Sequence, residues 1–190
     1  SEKRYIESML DKELGSPADE EQKNFVRTFA EALCKSQKFM RSRMQEVSAV
    51  SLRDVSRAIK LFKFFGVFLR GFHFPGWEDV SGSPPSLDLD EGKFEFTDPG
   101  ILPRAAILAL HCAYHCKLTS QRREYRQKIA HHIAKLDGPS SMLSFSDGSF
   151  HREVLETQKR FAQFINANIE REGIALNKAL CENIFMIFVS

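Results

Sequence analysis

Six consecutive residues, His111-Cys112-Ala113-Tyr114-His115-Cys116, hold four side chains able to ligate a transition metal. On a helix, His111 and His115 fall on one face and Cys112 and Cys116 on the adjoining one. Zinc asks for about four ligands in a tetrahedron, and its sites usually draw them from separate chain segments. Four donors on one rigid helix cannot surround one ion, and no second Cys or His pair has ligand spacing. The cluster therefore reads as a packed helix, with Cys as small apolar side chains and His as amphipathic ones. No metal is expected.

A second group lies in Ser51-Leu52-Arg53-Asp54-Val55-Ser56-Arg57-Ala58-Ile59-Lys60. Ser51 and Asp54 have the spacing of a capping box that opens a helix. Arg53 then sits in the first turn, with Arg57 and Lys60 stacked one and two turns on. Positive charge at a helix N-terminus opposes the macrodipole by about 0.3 to 1 kcal/mol when exposed. An anion such as phosphate, arriving at the free amides, would relieve that conflict. A carboxylate, from the acidic stretch described below, would relieve it equally well.

Other chemistries have less behind them. There is no Gly-x-Ser-x-Gly elbow and no His-Glu-x-x-His pair. A Cys protease rests on the mere co-occurrence of Cys and His. The basic run Lys117, Arg122, Arg123, Arg126 and Lys128 is the basis for an RNA-binding helical module. Its one aromatic, Tyr125, falls on an expected core stripe, so a stacking platform is missing and no nucleic-acid partner is expected.

These residues must be placed by helices. The chain has 190 residues with a formal net charge of +2, 17 Phe and four Cys. Such a chain can bury a core as one domain, is no disulfide scaffold, and fits a reducing, cytoplasmic setting. No run approaches the ~18 consecutive apolar residues of a spanning helix, so no transmembrane segment is expected. The first helix covers 3–14, with Tyr5, Ile6, Met9 and Leu10 as its apolar stripe and Gly15 as its stop. Ser16-Pro17-Ala18-Asp19 reads as a capping box for a long helix carrying Phe25, Phe29, Leu33, Met40 and Met44. Leu52, Val55, Ile59, Phe62 and Leu69 form the face of the next helix. Ile107 to Leu118 reads as an apolar helix after Pro103. Ser120 caps a helix with Tyr125, Ile129, Ile133 and Leu136, stopped by Gly138-Pro139. A last helix carries Val154, Leu155, Gln158, Phe161, Ile165 and Ile169 before Gly173.

Between them, residues 71–103 hold most of the prolines and read as loop, although Phe94-Glu95-Phe96 alternates as a short strand would. Residues 76–100 carry seven acids and one base, while 41–70 carry seven bases and two acids. An acidic loop folded over a basic helical face is the expectation.

The Ser51-Leu52-Arg53-Asp54-Val55 segment, with Arg57 one turn on, resembles the sensor 2 motif of AAA+ ATPase lids. It is most similar to dynein-like and midasin-like modules. Phe25 to Met44, with Ser36-Gln37-Lys38-Phe39, resembles the helix leading into such a lid. At the other end, Ile174-Ala175-Leu176-Asn177-Lys178-Ala179-Leu180-Cys181-Glu182-Asn183-Ile184-Phe185 is similar to a segment of the mysterin-like giant AAA+ ATPases. That family also acts as RING-type E3 ubiquitin ligases, and there the segment runs almost directly into the next module's P-loop. The resemblance covers 19–65 and 150–190.

The resemblance implies that Arg53 is the sensor 2 arginine, reaching the γ-phosphate of ATP bound with Mg in the neighbouring large subdomain. It makes Asp54 the cap of the helix. Arg57 receives no family role and is a candidate support only because it shares the face. The chain departs from a full module. Its Gly pairs at P-loop spacing, Gly66 with Gly71 and Gly71 with Gly76, are followed by Phe72-His73 and Trp77-Glu78 rather than Lys and Ser/Thr, and four Cys make no RING array. Alone, it is expected neither to hydrolyse ATP nor to transfer ubiquitin.

The reading is an all-α lid and connector from a larger ATPase and ubiquitin ligase. It has lid-entry helices and the sensor 2 helix in 1–70, an acidic loop in 71–103, and the lid remainder and connector in 104–190. Its partners are the neighbouring AAA+ subdomains and, for the whole protein, the ubiquitin machinery, with lipid-droplet association implied. The alternative is a free-standing helical protein-interaction domain. The missing initial Met and the apolar end Ile184 to Val189 suggest a piece of a longer chain, with a P-loop expected a few tens of residues beyond Ser190. The Phe content then suggests surface covered by neighbours, especially at Ile184, Phe185, Ile187 and Phe188.

Overall fold

The computed structural model describes residues 2–15, 17, 19–43, 50–71, 100–137, 145–169 and 177–189. Among them are seven α-helices and no strand: α1 (Glu2–Leu14), α2 (Glu20–Arg43), α3 (Leu52–Gly71), α4 (Ile101–Ala113), α5 (Arg122–Asp137), α6 (Asp147–Ile169) and α7 (Lys178–Phe188). A 3-10 turn, His115–Lys117, follows α4. The protein is all-α, as expected. The acidic stretch 76–99 with Phe94–Phe96, and Ser16, Met44, Gly138-Pro139, Gly173 and Ile174–Leu176, lie outside the described residues, as do the side chains of Leu136, Ile165 and Ile169.

Local signals set most helix ends. Gly15 stops α1 with φ of 82°, a conformation that other residues adopt only at a cost. Asp19 caps α2 itself, accepting from the Gln22 N–H at 2.8 Å, so it is the N-cap and not the closing residue of a box. α4 corrects the expected 107–118 helix at both ends. It begins at Ile101, with Pro103 in the first turn, where no helical N–H bond is lost. It ends at Ala113, where Tyr114 leaves helical geometry at φ −130° and ψ −57°. α5 starts at Arg122, two residues after Ser120, and the Tyr125 N–H bonds to the Gln121 carbonyl. α7 was not foreseen as a helix, although Asn177 is an ordinary cap, its side chain accepting from the Leu180 N–H at 2.9 Å.

α4 is the centre of the molecule. Every residue from Ala105 to Ala113 is buried, which is the pattern of a helix surrounded by others. Its Ala side chains let α3 pack closely along it, and α6 covers another side. α1 lies against α2 and α3, α5 bridges α2 and α6, and α7 rests on α6.

Phe side chains fill the joints. Phe25, Phe29 and Phe62 form one group with ring centroids 4.9 to 5.9 Å apart. Phe65 and Phe161 meet Phe185 of α7 at 5.9 and 6.1 Å. Among the described side chains no Phe is exposed. This corrects the expectation of Phe-rich outer surface: Phe185 is fully buried, and Ile184 and Phe188 pack partly buried against the core. Large exposed apolar side chains are Tyr5, Leu52 and Ile187, the first two of which had been placed on core stripes.

Candidate functional site

The start of α3 is fastened by short-range and long-range bonds. Ser51 Oγ accepts from the Arg53 N–H at 3.2 Å, and the Ser51 N–H donates to Asp54 Oδ2 at 2.9 Å. This is the capping box read from the sequence. The other Asp54 oxygen accepts from Lys117 Nζ at 2.5 Å. Partial burial pushes the Asp54 carboxyl up, but the bonds from Lys117 and Ser51 outweigh it and hold it below its ordinary value.

A third tie comes from α2. Gln37 Nε2 donates to the Ser51 carbonyl and to the Tyr114 hydroxyl, both at 3.0 Å. Gln37 Oε1 accepts from Arg41 at 3.1 Å, and Arg41 makes a bidentate pair with Glu2. Helices α1, α2 and the end of α4 thus fix where α3 begins. These ties were missed from sequence. The available signal was a pair of polar residues, Ser36 and Gln37, on the buried side of an amphipathic helix.

Arg53, Arg57 and Lys60 are exposed on this fixed base. The Arg53 side chain has no hydrogen bond or ion pair to any described residue, and the acidic stretch expected to supply a carboxylate lies outside the described residues. Asp54 is the acid of this corner and is already held by Lys117, leaving a surplus of positive charge around the first turn of α3. The arrangement can attract and orient an anion. It holds no nucleophile or base.

The His and Cys residues of α4 and of the 3-10 turn after it serve packing. His111 Nδ1 lies 2.9 Å from His115 Nδ1, and His115 Nε2 is 3.2 Å from Arg126. Gln158 meets His111 Nε2 at 3.1 Å. Burial pushes His111 down to about 4. Burial, then the nearby His111 and Arg126, push His115 down further. Both rings are neutral at pH 7. Burial pushes the thiols of Cys34, Cys112 and Cys116 up, so none of the three is a ready thiolate nucleophile. No group of three metal-ligating side chains forms among the described residues.

The basic run is largely consumed internally. Lys117 pairs with Asp54, Arg122 with Glu182, Arg126 with Asp147 and Lys128 with Glu124. Tyr125 is fully buried and shares a 2.8 Å hydrogen bond with the Ser36 hydroxyl. A nucleic-acid platform needs these groups outside.

No protein-family model matches the chain. Along its whole length it is 30% identical, over 189 residues, to the E3 ubiquitin-protein ligase RNF213 of Homo sapiens. The chain is similar, end to end, to one segment of RNF213. The Mus musculus RNF213 is 28% identical over 193 residues, and rnf213-beta of Danio rerio is 28% identical over 83% of the chain. The chain spans about 3% of the length of each of these RNF213 relatives. The likeness to RNF213 therefore also covers residues 66–149, between the two stretches that carried the resemblance in the sequence. No solved structure matches. No helix among the described residues is long and apolar enough to cross a membrane.

Proposed function

We propose that this chain is the lid and connector of one AAA+ module in a large E3 ubiquitin-protein ligase. The observation that carries the reading is the guanidinium of Arg53, which no described residue engages, exposed in the first turn of a helix tied to α1, α2 and α4. The end-to-end likeness to a segment of RNF213 supports it. The nucleotide, ATP with Mg, is held mainly by a neighbouring subdomain and presents the negative charge of its γ-phosphate. Arg53 meets that charge from the lid side through N–H donors that no described residue uses. Asp54, locked between Ser51 and Lys117, keeps the first turn of α3 in place. Arg57 adds positive potential one turn on. Movement of α3 with the nucleotide state reaches the rest of the chain through α4, its main packing partner. The adjoining AAA+ subdomains are the direct partners, and the ubiquitin machinery belongs to the whole protein.

Arg53→Ala in the full-length protein tests this. Loss of a charge-assisted hydrogen bond of about 1.5 to 3 kcal/mol weakens ATP binding or turnover about tenfold or more. Unchanged affinity together with unchanged turnover would sink the sensor role. The second reading, a helical protein-interaction domain, is favoured by the absence of any exposed Phe among the described side chains. It predicts that Arg53→Ala leaves both nucleotide measurements as they were.

A further inference from the structure

A cleft of about 280 Å³ opens between α5, α6 and α7, with no residue of α3 in its lining. Its rim carries Arg123, Arg126, His151 and Lys178, and its apolar wall is Val154 and Leu155. Glu182, the carboxylate on its lining, is engaged by a bidentate pair with Arg122 at 2.6 and 3.0 Å. Arg126 is held by Asp147 at 2.6 Å. The side chains of Arg123, His151 and Lys178 have no hydrogen bond or ion pair among the described residues. Lys178 also opens α7, where its charge opposes the macrodipole as Arg53 does on α3.

The floor of the cleft is polarised by the buried histidines. An Arg guanidinium can only donate, so His115 Nε2 must accept from Arg126. The His115 proton then sits on Nδ1 and is donated to His111 Nδ1. That leaves the His111 proton on Nε2, facing the Gln158 amide. The structure sets Gln158 Nε2 toward this ring, which would oppose two donors. Turning the amide over, a choice made by the hydrogen-bond network, puts its oxygen on His111. The Gln158 NH₂ then faces the cleft without a protein partner, on a side chain only 3% exposed. With Glu182 held by Arg122, the polar groups that Arg123, Lys178, His151 and Gln158 bring to the cleft can all donate.

We propose that this cleft binds a small phosphate monoester, its phosphate held by Arg123, Lys178, His151 and the Gln158 amide and its organic body lying on Val154 and Leu155. A phosphate dianion offers acceptors alone, which suits a site rich in donors whose one carboxylate is already paired. Bare phosphate would leave the apolar wall and much of the volume unfilled. Arg126 and Lys178 also help push the His151 imidazole below its ordinary value, after burial. A bound dianion reverses that push.

Titration of the 190-residue chain with phenyl phosphate at constant ionic strength, followed by the His151 imidazole resonances, tests the assignment. The expected result is saturable binding with the His151 pKa raised by about one unit. Inorganic phosphate should bind about tenfold more weakly, and Arg123→Gln and Lys178→Gln should each weaken phenyl phosphate about tenfold. Lys159→Gln, an equal charge change on the exposed side of α6, should leave binding intact. No saturable binding, an unmoved His151, or binding that survives the Arg123→Gln/Lys178→Gln double variant overturns the proposal. Equal affinity for the two probes overturns the role of the apolar wall.

Discussion

Arg53 and Asp54 are neighbours in sequence with opposite duties. The Arg53 side chain contributes no bond to the described residues, so Arg53→Ala should change the unfolding free energy of the chain by less than about 0.5 kcal/mol. Asp54→Ala removes a cap and strands Lys117, and should cost about 1 to 2 kcal/mol by urea denaturation. If the two variants lost equal stability, the division of roles would be wrong. The buried histidines give a pH signature of definite sign. Their folded values lie below the ordinary 6.5, so below that pH the unfolded chain binds protons that the folded chain refuses. Their stabilisation is complete above about pH 6.5 and drains away as the pH falls toward 4. For His111 alone the loss between pH 7 and 5 is about 2 kcal/mol. Unfolding free energies that stay flat over this window would show that the rings are not held neutral.

At the scale of elements, α2 acts as the bracket of the site. Gln37 reaches Ser51 on one side and Tyr114 on the other, so Gln37→Leu strips partners from a buried hydroxyl and a carbonyl. The expected cost is about 1 to 3 kcal/mol. α7 is held through Phe185, whose ring meets Phe65 and Phe161. Phe185→Ala should destabilise by about 3 to 5 kcal/mol. A much smaller loss in thermal unfolding would mean that α7 is not part of the core. The capping box at Ser51 was legible because its bonds span three residues. The bracket was not, because Gln37 and Tyr114 stand 77 positions apart. α4 shows the same limit in its ends. Pro103 looked like a boundary, but a first-turn position tolerates it, and the break at Tyr114 coincides with the hydroxyl that Gln37 claims.

For the whole molecule, the described helices close around α4 and pack their described Phe rings against one another. The Gln158 amide apart, no buried side-chain polar atom among the described residues lacks a partner. The isolated chain should therefore unfold cooperatively and run as a monomer in sedimentation, contrary to the self-association expected of a lid cut from its neighbours. Concentration-dependent association would restore the covered-surface reading, with Ile187, 75% exposed, as the place to look. The sequence by itself determined the all-α class, the cap at Ser51 and Asp54, and the exposed row of Arg53, Arg57 and Lys60. All of these follow from spacings within a few turns of one helix. Only the tertiary structure decided that the described Phe residues pack inward, that the basic run apart from Arg123 is spent on Asp54, Glu182, Asp147 and Glu124, and that two histidines orient a glutamine. Those outcomes depend on which helices meet, and periodicity within a helix carries no information about its neighbours.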